Sequence, residues 1–217
     1  MDDIVRQALA RWPNVPHCTG WLMLDRRGIW RMRDEAAQAQ GLPGEPIRHT
    51  ALLGFINRNY DRDDSGQWFF QNGPQRVYVE LGYTPWVVRL AEDEASGGAL
   101  TLTDQGGESF EPVTAWLDDE GGVLFAEADA EGSAPSGRVA VLHDHDLDLF
   151  VEHATLADDS GQGASGGCFR WRAGRDLELQ RIARADVEAR FGFVASPAAV
   201  TAEISADVKT DDVGGGV

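Results

Sequence analysis

A short acidic motif occurs twice in this chain, and its repetition constrains the fold more than any other feature of the sequence. Asp-Asp-Ser-Gly-Gln stands at residues 63–67 and again at residues 158–162. Each copy follows an apolar segment that carries a phenylalanine, Phe55 in the first case and Phe150 in the second. Each copy also precedes a segment in which aromatic and basic residues are mixed. The pattern indicates a chain made of two related halves.

Other motifs recur in the same order around these two copies. A hairpin pattern with Asp25 and Gly28 returns 93 positions later at Asp118 and Gly121. The apolar helix face that includes Phe55 returns 95 positions later. A chance match of five residues would not bring a hairpin, a helix and a strand pair along in the same order, so we infer an ancient duplication.

Local periodicity gives each half its elements. Val77, Val79 and Leu81 alternate with polar residues, which predicts a strand, whereas Leu52 and Phe55 recur at helical spacing. We therefore predict an α+β fold with an N-terminal helix and two related strand-strand-helix-strand-strand units that form antiparallel sheets. Neither unit is large enough to enclose its own apolar face, so we expect the two to pack together.

The same patterns divide the chain into four segments. In the first segment Ile4, Ala8 and Trp12 share one helical face. The last segment lacks periodicity and ends in glycines, which favours a mobile tail. The predicted segments are an N-terminal helix at 1–18, a first repeat unit at 19–95, a second repeat unit at 96–195 and an acidic, glycine-rich tail at 196–217.

Charge is distributed very unevenly between the two halves. Residues 1–90 carry a formal charge of +1 and residues 91–217 carry −18, which together give the −17 of the whole chain. The acidic half would repel a phosphate backbone, so we expect no nucleic-acid partner.

Targeting signals and cysteine motifs are missing from the sequence. The start, MDDIVRQALARWP, is acidic and lacks the apolar core of a secretory signal, and no segment has the roughly 18 apolar residues of a membrane span. We therefore expect a cytoplasmic protein with no membrane partner. Cys18 and Cys168 have no C-x-x-C spacing, so we interpret them as small buried apolar residues and predict no cofactor.

Residues 19 to 92 resemble a group of uncharacterised proteobacterial families of unknown function. The resemblance implies an α+β fold built from repeated structural motifs, and a link to signal transduction without an established activity. The residues that carry it are Gly28, Ile29 and Trp30 in a strand, Pro46 and Ile47 before a helix, Leu52 and Phe55 on that helix, Asp64 and Gly66 in a turn, and Pro85 and Trp86.

The turn QNGPQR is the most prominent polar patch of the first unit. Its amide groups and one guanidinium stand beside Trp68, Phe69 and Phe70, a mixture that suits a planar polar or carboxylate ligand. A plain hairpin turn, in which Asn-Gly supplies the required backbone angles, explains the same residues. The predicted ligand-binding residues are Arg58, Gln71, Asn72, Gln75 and Arg76.

A second polar cluster, HDHDLDLF, has the composition of a metal site. His143 and His145 would share a face of an extended segment, and Asp144 and Asp146 offer oxygen ligands. The alternative is that one of these aspartates caps a helix beginning near Leu147. The pattern provides no third set of ligands, so we assign no metal.

These observations leave three classes of function open. The first is a cytoplasmic, non-catalytic module that binds a small molecule or a protein partner, in a regulatory or signalling role. The second is a metal-assisted hydrolase that uses His143 and His145. The third is a structural protein whose exposed strand edges pair with a partner or with a second copy of the chain. No catalytic residues are assigned.

Overall fold

The computed structural model describes residues 1–93, 98–132, 137–157, 165–172 and 174–202. The chain divides into two compact units. Unit 1 contains residues 1–24, residues 30–82 and the described residues from 194 onward, whereas unit 2 contains residues 25–29 and 83–193.

Over its described residues, unit 1 holds a six-stranded sheet, three helices before residue 82 and a helical segment at 197–202. The strands lie in the order β3-β2-β1-β6-β5-β4, and β1 and β6 are parallel while the other neighbours are antiparallel. The elements are α1 (Asp3–Arg11), β1 (Cys18–Leu24), β2 (Trp30–Met32), α2 (Glu35–Ala39), β3 (Glu45–Pro46), α3 (Thr50–Arg58), β4 (Tyr60–Arg62), β5 (Trp68–Asn72) and β6 (Gln75–Leu81).

Unit 2 holds an eight-stranded sheet in the order β12-β13-β14-β9-β10-β11-β7-β8. Two neighbouring pairs are parallel, β9 with β14 and β7 with β11. Its elements are β7 (Trp86–Asp93), β8 (Ala99–Asp104), β9 (Thr114–Asp118), β10 (Val123–Ala126), β11 (Val139–Leu142), α4 (Leu147–His153), β12 (Ala154–Leu156), β13 (Ser165–Arg172), β14 (Arg175–Ile182) and α5 (Val187–Phe191).

The two sheets share one strand order. Strands β9 to β14 of unit 2 follow the order and the parallel or antiparallel pairing of β1 to β6 in unit 1. In each unit the helix, α3 or α4, lies between the third and fourth of these strands. The predicted α+β class with two related units and an N-terminal helix is confirmed. Each of the two six-strand sets, β1 to β6 and β9 to β14, has three strands before its helix and three after it, where the prediction had two, and the additional strand on each side is short.

In the part of the chain that the structure describes, four hairpin turns share the pattern Asp-x-x-Gly and the same closing bonds. In each turn the aspartate Oδ1 accepts the backbone N–H groups two and four residues later. The glycine has a positive φ of 74° to 88°, which a residue with a side chain adopts only at a cost. The turns are Asp25–Ile29, Asp63–Gln67, Asp104–Glu108 and Asp118–Gly122.

These bonds give the repeated acidic motif a physical reason. One carboxylate satisfies two backbone donors that the tight turn would otherwise leave without an acceptor. The first Asp-Asp-Ser-Gly-Gln copy is such a turn, between β4 and β5. The second copy, at 158–162, lies outside the described residues.

Aromatic side chains form the centre of the unit 2 core. Phe125, Phe150 and Phe169 are nearly or fully buried, and the ring centroids of Phe150 and Phe169 are 4.8 Å apart. Phe125 lies 5.5 Å from Phe169. Truncation of such a residue to alanine costs about 3–5 kcal/mol, so this cluster fixes the sheet against α4.

The buried face of the N-terminal helix differs from the apolar face that the sequence predicted. Val5 is its buried residue, whereas Ile4 is 72% exposed and Trp12 is 52% exposed. The prediction placed Ile4 and Trp12 together with Ala8, and that shared face points largely to solvent. The described helices include none that is both long and apolar enough to cross a membrane.

The segment boundaries also differ in detail from the predicted ones. Strand β7, predicted to belong to the first unit, pairs with β8 and β11 in the second sheet. Residues 197–202 are helical and lie within the predicted tail. Ser196 Oγ donates to Glu80 Oε2 at 2.6 Å and Ala198 N donates to Oε1 at 3.0 Å, which attaches this part of the tail to unit 1. The rest of the predicted tail, 203–217, lies outside the described residues.

Candidate functional site

The turn between β5 and β6 holds four of the predicted ligand-binding residues. Asn72 pairs with Gln75 across the strands, so Gly73 and Pro74 form the turn. Gln71 is fully buried and its Nε2 donates to the Gly73 carbonyl at 2.9 Å. An external ligand therefore has no access to Gln71 in this structure.

The remaining polar groups of this turn make contacts within unit 1. Gln75 Nε2 donates to the Pro16 carbonyl at 3.1 Å. The Arg76 guanidinium lies over the Phe69 ring, 4.4 Å from its centroid. Asn72 is exposed. These contacts are those of a structural hairpin, and the ligand site there stays a prediction.

Arg58, the fifth predicted residue, ends α3. Its Nε lies 3.4 Å from Asp2 Oδ1, and its side chain is 61% exposed. The backbone N–H of Asp2 also donates to Asn59 Oδ1 at 2.7 Å. Arg58 therefore connects α3 to the start of α1.

A groove in unit 2 brings together polar groups that are far apart in the sequence. Its volume is about 470 Å³. The Asp25–Ile29 and Asp104–Glu108 turns, strand β7 and the start of the segment before α4 all contribute to its wall. The residues that line it are Arg27, Gly28, Val87, Arg89, Asp104, Gln105, Gly106, Gly107 and His143.

Arg89 is held beside this groove by a two-bond ion pair with Asp146. Nε lies 2.6 Å from Oδ2 and Nη2 lies 2.8 Å from Oδ1. Asp146 Oδ2 also accepts the backbone N–H of Leu90 at 3.0 Å. Burial raises the pKa of Asp146, but the bonds from Arg89 and Leu90 outweigh it and hold that pKa below its usual range. Asp146 is therefore a carboxylate at neutral pH.

Arg27 is held in the same manner by Asp144. Its Nη2 lies 2.6 Å and its Nε 3.1 Å from Asp144 Oδ2. The guanidinium of Arg27 lowers the pKa of Asp144, so this pair is also charged. A guanidinium has five N–H donors, and the carboxylates take only two from each arginine.

His143 is a buried histidine at the groove wall. Its backbone N–H donates to the Val88 carbonyl at 2.9 Å, and its Nδ1 accepts the backbone N–H of His145 at 3.1 Å. In the neutral ring that acceptor role leaves the proton on Nε2. Burial and the nearby Arg89 lower the pKa of His143, so the ring is neutral at neutral pH.

The helix-cap interpretation of Asp144 and Asp146 is wrong. The side chain that caps the short 3₁₀ turn Asp144–Asp146 is His143, and Asp146 makes no cap bond to α4. Both carboxylates bind arginines instead, because two guanidinium groups lie within reach. The cap prediction could not foresee partners from β7 and from the Asp25–Ile29 turn.

The two histidines of the metal hypothesis contact each other. Their ring centroids are 4.7 Å apart at 64°. Within the described ranges, no three His, Cys, Asp or Glu side chains come together in a way that could hold a metal ion.

Arg27, Arg89 and Gln105 were not among the predicted site residues. One signal was present for Arg89, since it interrupts the apolar run Trp86, Val87, Val88 in strand β7. A cation in such a run needs a buried partner or a ligand. The partner, Asp146, is 57 residues away, so spacing alone did not reveal it.

The groove presents mainly hydrogen-bond donors. Two guanidinium groups and a neutral imidazole line it, while Asp104 is occupied by its own turn and by Arg138. Such a set recognises carboxylate or phosphate oxygens. These lining residues include no nucleophile paired with a general base.

Comparison with known proteins gives a family and two similar structures. The family model DUF2944, with the description "Protein of unknown function (DUF2946)", matches residues 1–198. No curated protein matches the chain. The predicted membership of an uncharacterised family is confirmed, whereas the link to signal transduction stays a prediction.

The two similar structures are both DUF1285 family proteins. The protein from Silicibacter pomeroyi DSS-3 has a TM-score of 0.48 and 16% identity, over 87% of this chain and 99% of that chain. The protein from Shewanella baltica OS155 has a TM-score of 0.39 and 13% identity, over 61% of this chain and 91% of that chain. Neither likeness carries an argument about the site.

Proposed function

The chain belongs to DUF2944, a family of unknown function, and we propose that it is a cytoplasmic, non-catalytic module that binds a small anionic ligand in the groove of unit 2. The ligand carries a carboxylate or phosphate group that meets Arg27 and Arg89. Binding of this ligand in the groove serves a regulatory role. The observation that carries the proposal is that two arginines from separate elements, each oriented by its own carboxylate, line one groove.

Orientation of the two arginines supports binding over a purely structural role. Arg89 keeps 54% of its side chain exposed despite its ion pair, and Arg27 also keeps 54%. Charged side chains held in place lose less conformational entropy when they bind a ligand. Buried Asp146 thus fixes Arg89 without removing it from solvent.

The surrounding charge favours a small ligand. Residues 91–217 carry a formal charge of −18, so an extended polyanion would be repelled by most of this half. A ligand that fits a groove of about 470 Å³ meets the cations of the groove alone. This agrees with the expectation that nucleic acid is not a partner.

A thermal-shift screen with phosphate, sulfate, citrate and acetate tests the proposal. A ligand that binds the native state raises the melting temperature with concentration. We expect at least one of these anions to stabilise the protein and Arg27→Gln to remove that gain. Arg170→Gln, an exposed arginine of the same unit outside the groove, is the matched control and retains the gain.

Arg89→Gln needs its own control because it leaves Asp146 without its partner. The double variant Arg89→Gln with Asp146→Asn removes both charges, so its stability is closer to that of the parent. If the double variant responds to the anions as the parent does, Arg89 has no part in binding. Equal responses of Arg27→Gln and Arg170→Gln would contradict the proposal.

The proposal that the protein does not convert its ligand is tested with the anion that raises the melting temperature most. Ligand incubated with the protein and followed by NMR is expected to remain unchanged. Release of a cleavage product in a metal-dependent manner would favour the metal-assisted hydrolase that uses His143 and His145. Metal analysis of the purified protein decides whether an ion accompanies that activity.

A further inference from the structure

The strand registers give the positions in unit 2 that correspond to those in unit 1. Leu24 lies opposite Trp30 across the first hairpin, as Leu117 lies opposite Val123. Trp30 therefore corresponds to Val123, and an indole ring in unit 1 is replaced by an isopropyl group in unit 2.

The helices α3 and α4 correspond in the same way. Phe55 on α3 contacts Phe70 on β5, with 5.4 Å between their ring centroids. Phe150 on α4 contacts Phe169 on β13, with 4.8 Å between their ring centroids. Phe150 follows Phe55 by 95 positions in the sequence, so this offset relates the residues of the two helices.

In unit 1 the indole of Trp30 is buried and bound to the helix. Trp30 is 2% exposed, and its Nε1 donates to Asn57 Oδ1 on α3 at 2.8 Å. Its ring centroid lies 5.1 Å from that of Tyr60. Ile56, which precedes Asn57 on α3, is buried as well. An aromatic ring with an N–H donor thus connects β2 to α3.

In unit 2 a second groove lies at the corresponding place. Its volume is about 500 Å³, and it shares no lining residue with the groove described above. A buried tryptophan covers about 150–250 Å², so its replacement by a smaller residue leaves room for a ring. The apolar lining residues are Leu117, Val123, Leu147, Phe150, Val151 and Leu156.

The apolar surface of this second groove is accessible. Val151 is 54% exposed, whereas Ile56 at the corresponding position of α3 is 1% exposed. Leu156 is 51% exposed. An apolar surface that is covered in one unit and open in the other marks a binding site.

The charged residues of the lining, Asp118 and Arg181, are occupied within the chain. Asp118 Oδ1 accepts backbone N–H groups of its own turn, and Oδ2 accepts the Tyr83 hydroxyl at 2.8 Å. Arg181 has an interaction partner of its own. The groove therefore suits an uncharged ring.

A hydrogen-bond acceptor stands beside this groove at the position of Asn57. Glu152 follows Val151 on α4, 95 positions after Asn57. Glu152 is exposed; Arg170 Nη2 donates to its backbone carbonyl, and over the described residues its carboxylate accepts no hydrogen bond. We propose that the second groove binds a neutral aromatic ring of the indole class, with the ring against Val123 and its N–H donated to the Glu152 carboxylate.

Ligand-observed NMR titration with indole and benzofuran tests this proposal, because benzofuran has an oxygen atom in place of the N–H group. We expect the parent protein to bind indole about three- to tenfold more tightly, the contribution of one hydrogen bond. Glu152→Ala is expected to abolish that preference. Glu152→Gln is the matched variant and retains the preference, because an amide oxygen accepts the N–H group as Asn57 does in unit 1.

Val151→Glu tests the apolar surface separately. The new carboxylate is expected to weaken both indole and benzofuran by at least about tenfold. Val113→Glu, the same change at an exposed valine outside both grooves, is the matched control and leaves binding unchanged.

Three results would overturn the proposal. The first is that the parent protein binds neither compound, and the second is that Val151→Glu and Val113→Glu have equal effects. The third is that indole and benzofuran bind equally well to the parent and to Glu152→Ala. A change from dimer to monomer in Val151→Glu, without indole binding by the parent, would assign the surface to a second copy and also overturn it.

Discussion

Arg89 on strand β7 and Asp146, directly before α4, form an ion pair with two short bonds, 2.6 Å from Nε to Oδ2 and 2.8 Å from Nη2 to Oδ1. Asp146 is buried while Arg89 is half exposed. The pair therefore holds the guanidinium of Arg89, a residue of strand β7, at the surface of the groove. It is the contact on which the orientation of Arg89 depends.

Asp146→Asn is expected to lower the free energy of unfolding at neutral pH by about 1–2 kcal/mol, the value of a charged hydrogen bond whose partner is half exposed. The pKa of Asp146 is held below its ordinary value of 3.8, so this stabilisation is complete above that value and is lost as the pH falls below it. Urea unfolding at neutral and acidic pH measures both effects.

The matched control is Asp176→Asn, which alters an exposed aspartate of β14. It is expected to change the free energy of unfolding by less than about 0.5 kcal/mol. A loss of stability as large as that of Asp146→Asn would show that the ion pair contributes nothing specific.

His143 is expected to titrate below 6.5, because burial and Arg89 both disfavour its charged form and the opposing effects of Asp144 and Asp146 are smaller. An anion in the adjacent groove favours the charged ring, so anion binding should raise its pKa and should tighten as the pH falls. NMR titration of the histidine ring signals, with and without the anion, measures this. An unchanged His143 pKa would place the anion elsewhere.

Gly28→Ala and Gly121→Ala compare equivalent turns in the two repeats. Both glycines have positive φ, 74° and 83°, so alanine costs about 1–2 kcal/mol at either position. A side chain at Gly28 would also meet Gln105 Cβ at 3.1 Å, whereas nothing lies within 4 Å at Gly121. We expect Gly28→Ala to lower the free energy of unfolding by about 1–3 kcal/mol more than Gly121→Ala does, as measured by urea unfolding. Equal losses would contradict the described packing of the Asp25–Ile29 turn.

Tyr83→Phe removes the bond from the Tyr83 hydroxyl to Asp118 and is expected to cost about 1.5–3 kcal/mol. Burial and that bond raise the pKa of Tyr83 well above its ordinary value of 10.0. The contribution is therefore complete below 10.0 and declines as the pH rises further. Unfolding of both proteins at neutral and strongly alkaline pH should show the difference between them narrowing, and a constant difference would contradict this.

The fold was more predictable than the site. Alternation at Val77, Val79 and Leu81 reports burial on one face, which depends on local spacing. The parallel pairing of β6 with β1 depends on residues far apart in the chain, and no local pattern encodes it. The two-unit architecture could still be predicted because its turns carry a repeated Asp and Gly.

The site was harder because its residues are partners across long sequence distances. Arg27 and Asp144 are 117 residues apart, and neither is unusual in its local context. Gln71 was predicted as a ligand residue because it is polar and lies next to a turn. Its amide instead bonds to the Gly73 carbonyl within the hairpin, and burial of that kind is not visible in the sequence.

Amide chemical-shift mapping with isotope-labelled protein tests the anion-binding proposal most directly. Titration with the anion that stabilises the protein most is expected to move the amide signals of Gly106, Gly107 and His143, which line the groove of unit 2. Signals of Asn72 and Gln75 in the unit 1 hairpin should stay in place. Movement confined to that hairpin, or no saturable movement in the groove, would contradict the account.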